Sequence, residues 1–480
     1  MSIRLSRAAL ARLPEGVSRP GYDPAALAAG IVHIGVGNFH RAHMGVYLDR
    51  LFATGRDHGW GILGAGVRPD DAAMRARLLA QDCLTTVVEL DPEGRAARVT
   101  APMVGFAPVE PAATIAALSD PAIRIASLTI TEGGYFLDPL TDAFDAAHPE
   151  IVADAAAPGA PRTVFGILLA ALRARRQAGA PPFTIMSCDN IPHNGRVTMA
   201  ALAGLARLSD PALADWVEAE VAAPDGMVDC ITPATGPAEI ALVRALGIED
   251  AAPVTCEPFR QWVLEDRFPQ GRPALEAVGV EFVADVAPYE LMKLRLLNGL
   301  HAAMGYAGAL LGHRLVDEAA TDPDIRAYLA TLAEREVMPT LAPIAGVDYR
   351  AYLATLMARF SNAAVGDTVA RLALDGSNRQ PKFILPTLRD ALAQGTPHEG
   401  LMLEIALWRR HCATAERLDD PRADRLRAAA RAPDVAAFLA LTEVFGALGR
   451  DPRVTEGVAA WARALEAEGA RAALRAYLGG

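Results

Sequence analysis

The chain has 480 residues, 52% of them apolar, and a formal net charge of −11, enough for two or three domains with a sizeable core. The acidic balance, with no long basic run, argues against nucleic acid or an anionic membrane as the main partner. No run reaches the ~18 apolar residues of a membrane span, and the N-terminus lacks a signal-peptide core, so a soluble cytoplasmic protein is expected.

In chain order, IVHIGVG (31–37) is a β-branched strand, followed by a helical pattern in NFHRAHMGVYLDRLFATG. GWGILGAGV (59–67) reads as a second strand. LTTVVEL (84–90) and RVTAPMVGF (98–106), separated by DPEGRAA, predict a hairpin. IRIASLTI (123–130) has the continuous apolar character of a buried strand. TVFGILLAALRARRQAG (163–179) is an amphipathic helix, and FTIMSC (183–188) a further strand before the loop DNIPHNG. PVTCEPF (253–259) and VEFVADV (280–286) are weaker strand patterns. Alternating strands and helices predict an α/β fold with a parallel, doubly wound sheet. From about residue 287 Ala, Leu, Arg and Glu dominate, which predicts a mainly α-helical second domain over 287–480 after a nucleotide-binding domain over 1–286. Cys83, Cys188, Cys230, Cys256 and Cys412 are odd in number and form no CxxC pair, the usage of reduced thiols.

GVGNFHRAH (35–43) follows the first strand and opens the first helix. Gly35 allows the tight turn, and Gly37 lets a pyrophosphate approach the helix N-terminus, with Asn38 and Phe39 next in the loop. His40 stands where a third glycine would complete GxGxxG. After the second strand, Asp70 or Asp71 can take a ribose hydroxyl and favour NAD, whereas Arg68 could accept a 2′-phosphate. RPDD also reads simply as a solvated helix start. His40 and His43 have zinc-like spacing but no nearby carboxylate or cysteine partner, so no metal is expected.

The stretch KLRLLNGLH (293–301) places a lysine, an asparagine and a histidine in an apolar helical run that Asp285 and Pro288 introduce. At about 100° per residue, with Lys293 at zero, Glu290 falls at about 60°, His301 at about 80° and Asn298 at about 140°. The four form one polar patch. One reading is a satisfied hydrogen-bond network between domains. The other is catalytic: a lysine in a low-dielectric pocket falls from about 10.4 towards ~7–8 and becomes a base. An asparagine amide can polarise the reacting oxygen, and a neutral histidine can orient the hydroxyl. Asn190, in the loop after the 183–188 strand, can supply a second amide, although such an asparagine is commonly just a turn residue.

Several stretches together, IVHIGVGNFHRAH, TITEGGYF, MSCDNIPHNG, VDCITP, EPFRQWVLEDRF, PYELMKLRLLNGLH and RFSN through DGSNRQPKF, resemble the long-chain polyol dehydrogenases over nearly the whole chain. The resemblance implies an N-terminal Rossmann-type domain, a helical substrate domain, and zinc-independent, NAD-dependent oxidation of a polyol to a ketose. The closest likeness is to members that turn D-mannitol into D-fructose; D-arabinitol or sorbitol are further substrates to weigh. It implies Lys293 as general base, Asn190 and Asn298 polarising the oxygen, and His301 positioning substrate. Asp229 and Arg371 match polyol-binding residues, Glu290 a glutamate near the lysine, and Arg379 and Lys382 the same patch. It also implies a monomer. RPDD matches the acidic stretch that selects NAD. Two departures stand out: Cys230 replaces the arginine of VDRITP, and Asn38 replaces a glycine. The nearest alternative is a fructuronate or tagaturonate reductase of the same superfamily. A zinc alcohol dehydrogenase lacks its clustered cysteines here, and a non-catalytic redox sensor has no need of Lys293, Asn298 and His301 together.

Overall fold

Runs of Ile, Val, Leu and Ala too apolar to face water on either side build the central sheet. A computed structural model describes residues 2–138 and 141–479 and divides into two units, Met1–Ala287 and Pro288–Gly480. In the first, β1 (Ala29–Ile34) leads through the glycine turn to α1 (Asn38–Ala42) and α2 (Met44–Phe52). β2 (Gly61–Ala65), β3 (Met103–Phe106), β4 (Ile125–Leu128), α3 (Val164–Gln177), β5 (Thr184–Ser187) and α4 (Asn194–Ser209) follow. The five strands are parallel in the order β3-β2-β1-β4-β5. This order reverses between β1 and β4, and open parallel sheets bind ligands beyond the carboxyl ends of their strands at such a point.

Three details differ from the sequence expectation. The helix after β1 is not continuous: it breaks at His43 (φ −108°, ψ −89°), so α1 and α2 are separate. The expected hairpin forms between Thr85–Asp91 and Gly94–Thr100, earlier than expected, because the turn tightens to Pro92 and Glu93. Met103–Phe106 instead leaves the hairpin and becomes the edge strand β3 of the nucleotide-type sheet. Two further strands, Gly226–Asp229 and Gln261–Glu265, pair antiparallel and were not evident from the sequence pattern.

The second unit is helical. α5 (Ala287–Met292) begins where the Asp285 carboxylate accepts the Ala287 N–H at 3.0 Å. It runs into a π-helical turn over Lys293–Asn298, and α6 (Gly299–Leu311) continues. α6 packs on α7 (Glu399–Thr414), which in turn lies against α8 (Pro452–Leu478). No described helix is long and apolar enough to cross a membrane.

Candidate active site residues in each unit

The β1 turn has the geometry of a phosphate cradle. Gly35 adopts φ +96°, and a Cβ there would sit 2.1 Å from the Thr129 carbonyl oxygen, so only glycine fits. At Gly37 a Cβ would meet nothing closer than 3.9 Å, which leaves the face of the turn open to a ligand. Asn38 ties the turn down. Its Nδ2 donates to the Pro233 carbonyl at 3.0 Å and to Thr235 Oγ1 at 2.9 Å, and its Oδ1 accepts from Arg41. Arg41 also donates to the Ala252 carbonyl. Phe39 stacks on His43 at 4.8 Å.

Beneath the turn His33 and His40 stack at 3.5 Å. His33 Nδ1 lies 2.8 Å from Ser127 Oγ and Nε2 3.0 Å from Thr129 Oγ1. Burial lowers His33 to about 3 and His40 well below its usual value, so both rings are neutral packing groups. Among the described residues no group of three His, Cys, Asp or Glu side chains could hold a metal ion.

After β2, the Asp71 carboxylate accepts the N–H groups of Val67 and Arg68 at 2.8 and 2.9 Å. A Cβ on Gly66 would sit 2.4 Å from Asp71 Cβ. One Asp71 oxygen therefore shapes the loop, while Asp70 and Arg68 stand exposed beside it.

Asn190 is exposed at the carboxyl end of β5, on a loop held by a residue the sequence did not single out. The buried Asp189 accepts from the Ile130 and Thr131 N–H groups, both at 2.9 Å, and from the Tyr135 hydroxyl at 2.7 Å. Burial pushes the Asp189 carboxyl up, and these donors oppose the shift. Asn194 spans the other side, donating to Gly226 O at 2.7 Å and accepting its N–H at 2.9 Å. This anchors Gly226–Asp229 and so places Asp229, which is itself buried. Beyond it, the Glu257 carboxylate accepts the Ile231 N–H at 2.6 Å.

In the second unit Lys293 is 7% exposed and Glu290 6%. Asn298 and His301 are half-buried. The π turn corrects the regular-helix angles used above. Its i→i+5 bonding winds fewer degrees per residue, so Lys293 and Asn298, five apart, come closer to alignment than the regular wheel gives. Arg295, inside the same turn, donates to Thr340 and pairs with Asp390. His301 packs on Phe360 with ring centroids 4.2 Å apart. Arg371 makes a two-point pair with Asp367, one contact being 2.6 Å. Burial would raise Asp367, but the Arg371 hydrogen bond and charge, the Thr368 N–H and His301 together outweigh it, and the carboxyl is lowered. His301, Asp367 and Arg371 thus form one polar group. Arg379 donates to the carbonyls of Arg371 and Leu372, both at 3.1 Å, and Lys382 is exposed.

The sequence reading passed over Asp189, Asn194, Tyr135 and Glu257. Each bonds backbone or buried groups, and only DN before a turn-rich IPHNG hinted at the first.

Residues 29–277 match the family Mannitol dehydrogenase Rossmann domain, and residues 285–466 the Mannitol dehydrogenase C-terminal domain. Mannitol 2-dehydrogenase of Cereibacter sphaeroides is 55% identical over 478 residues, covering 97% of this chain and 100% of the relative. Pseudomonas fluorescens mannitol 2-dehydrogenase, solved as a ternary complex with NAD and D-mannitol, is 42% identical with a TM-score of 0.87, covering 99% of this chain and 100% of that one. A D-sorbitol dehydrogenase solved in substrate-free form is 36% identical with a TM-score of 0.91, covering 98% and 100%.

Proposed function

The chain belongs to the mannitol dehydrogenase family, and from that premise we propose that it oxidises a polyol secondary alcohol to a ketose with NAD, D-mannitol to D-fructose being the leading pair. The observation that carries the reading is Lys293, a lysine 7% exposed on a π-helical turn with Asn298 five residues on. Burial favours the neutral form of an amine, and the neutral amine is the form that removes a proton.

Lys293 takes the proton of the substrate C2 hydroxyl in oxidation and returns it in reduction. The amides of Asn190 and Asn298 donate to the oxygen as it gains negative charge, where fixed donors need no reorganisation. His301, braced by Phe360 and near Asp367, orients the same hydroxyl. Asp229, Arg371 and Arg379 hold the remaining hydroxyls, Glu290 passes protons to and from Lys293, and Lys382 adds positive charge. Bound NAD supplies the hydride acceptor. The open face of Gly37 suits its pyrophosphate, Asn38 and Phe39 continue that loop, and Asp70, with Asp71 shaping the turn, selects a free ribose hydroxyl over a phosphate beside Arg68.

The test is NADH production with a polyol panel, wild type against Lys293→Ala, from neutral to alkaline pH and with EDTA. Mannitol-dependent, EDTA-indifferent turnover that rises with pH and collapses in the variant supports the reading. Turnover only with fructuronate or tagaturonate would move the substrate to the uronates. Undiminished turnover in Lys293→Ala would remove the lysine from the chemistry.

A further inference from the structure

Cys230, the residue that departs from VDRITP, lies beside a second cysteine. Its thiol points to the Ile231 carbonyl, 4.0 Å away, and both cysteines sit in a small apolar cluster with Ala42, Val46, Val87, Val254 and Phe39. The two segments are stitched together just beyond them, where the Glu257 N–H donates to the Ile231 carbonyl at 3.0 Å. Arg260 completes the site. Its Nη2 donates to Cys256 Sγ at 3.0 Å, its Nη1 to Glu89 at 2.7 Å, and its Nε to the Ala42 carbonyl at 2.7 Å. Ala42 is the last residue of α1, the helix that opens at the nucleotide turn.

The neighbouring Cys230 side chain, with Arg260 adding to it, holds the Cys256 thiol below its usual value against the effect of burial. The neighbouring Cys256 side chain and burial push Cys230 up. The other three cysteines are of a different kind: burial pushes Cys83 to about 11 and raises Cys188 and Cys412 further. A guanidinium beside a cysteine raises its thiolate fraction, the reactive form, and a second thiol nearby is the group that resolves its oxidation.

We propose that Cys230 and Cys256 are a modification site for hydroperoxides, closing to a disulfide that loosens the Arg260 clamp on α1 and weakens nucleotide binding. Cys256 attacks the peroxide; its S–O bond forms, the O–O bond breaks, and the departing oxygen takes a proton to leave as alcohol or water. Cys230, deprotonated, then attacks that sulfur; the S–S bond forms and the S–O bond breaks, releasing water. In sum two thiols and one hydroperoxide give a disulfide, an alcohol (water, for hydrogen peroxide) and a water, with two electrons passing from sulfur to oxygen. A disulfide sulfur is a poorer acceptor for Arg260 than the free cysteine sulfur, so the guanidinium loses one of its four partners.

The experiment treats the reduced full-length protein with hydrogen peroxide. It reads intact mass, free thiols after denaturation, peptide linkage and NADH affinity by fluorescence. Expected are a loss of two hydrogens, a fall from five thiols to three, a linked pair of peptides bearing Cys230 and Cys256, and a several-fold weaker NADH affinity that dithiothreitol restores. Cys230→Ser should abolish linkage and response, while Cys83→Ser keeps both; should Cys256→Ser fail to fold, Cys230→Ser still decides. Five surviving thiols, a linkage through another cysteine, or unchanged NADH affinity after linkage would each overturn the proposal. The mass and thiol readouts need no substrate, so they stand or fall apart from the polyol reading.

Discussion

The two units hold their candidate site residues by different means. In the first, these residues sit on loops at the carboxyl edge of a sheet, and carboxylates fix the loops by accepting backbone N–H groups: Asp189 for Ile130 and Thr131, Asp71 for Val67 and Arg68, Glu257 for Ile231. In the second, Lys293, Asn298 and His301 stand on one helix, and a change of winding sets their directions. A loop site is therefore exposed to the loss of one acceptor, whereas a helix site is exposed to a change in residue count or in the reacting side chain itself.

The largest expected effect tests the helix side. Lys293→Ala should lower kcat for polyol oxidation by roughly 10³-fold while leaving NADH affinity, measured by fluorescence titration, unchanged. A parallel loss of NADH affinity would mean the helix is not a separate functional element. Asp189→Ala tests the loop side. It strips the Ile130 and Thr131 N–H groups and the buried Tyr135 hydroxyl of an acceptor, which should cost about 2–4 kcal/mol in urea unfolding and lower kcat through a displaced Asn190. An unchanged kcat in the folded variant would detach Asn190 from turnover.

Buried titratable groups sharpen the contrast through pH. Glu404 in α7 is fully buried, accepts from Gln380 at 2.5 Å, and burial raises it to about 8. The unfolded chain releases this proton above its ordinary value of 4.5 while the folded chain keeps it, so its contribution to stability falls as pH rises from there to about 8, then levels. His33 has the opposite slope: lowered to about 3, it binds a proton in the unfolded chain first, so its contribution falls as pH drops below 6.5. Glu404→Gln should flatten the decline of Tm between pH 4.5 and about 8 by the equivalent of a few kcal/mol, and leave the profile below pH 4.5 as in wild type. A wild-type slope over that window in the variant would assign the decline to other groups. The smallest effect is expected from Asp71→Ala, about 1 kcal/mol in stability with a several-fold rise in KM for NAD and no change in KM for polyol.

The same contrast governs what could be read from sequence. The β-branched runs at 31–34, 61–65, 125–128 and 184–187 are apolar because both faces of the sheet are covered, so they were legible, and the GVG turn with them. Gly226–Asp229 and Gln261–Glu265 were not, because GMVD and QWVLE are short and mix polar with apolar residues. The break at His43 leaves no proline or glycine signal. The K-x4-N-x2-H spacing drew attention to this helix, but the π turn is a property of how the backbone hydrogen-bonds and has no residue signature in KLRLLN. Asp189 and Glu257 act through backbone N–H groups far away in the chain, and a single sequence does not pair such positions.

The π turn also bears on how this helix could be redesigned. Because Lys293–Asn298 holds an extra residue per turn, deleting one residue would restore ordinary winding. Five residues of the π turn and four of ordinary helix each close about one turn, so the face of α6 that follows would keep its direction relative to Lys293, whereas a one-residue insertion would swing it by about 100°. A library of one-residue insertions and deletions across 293–298 would thus explore pocket shapes that no combination of point substitutions reaches.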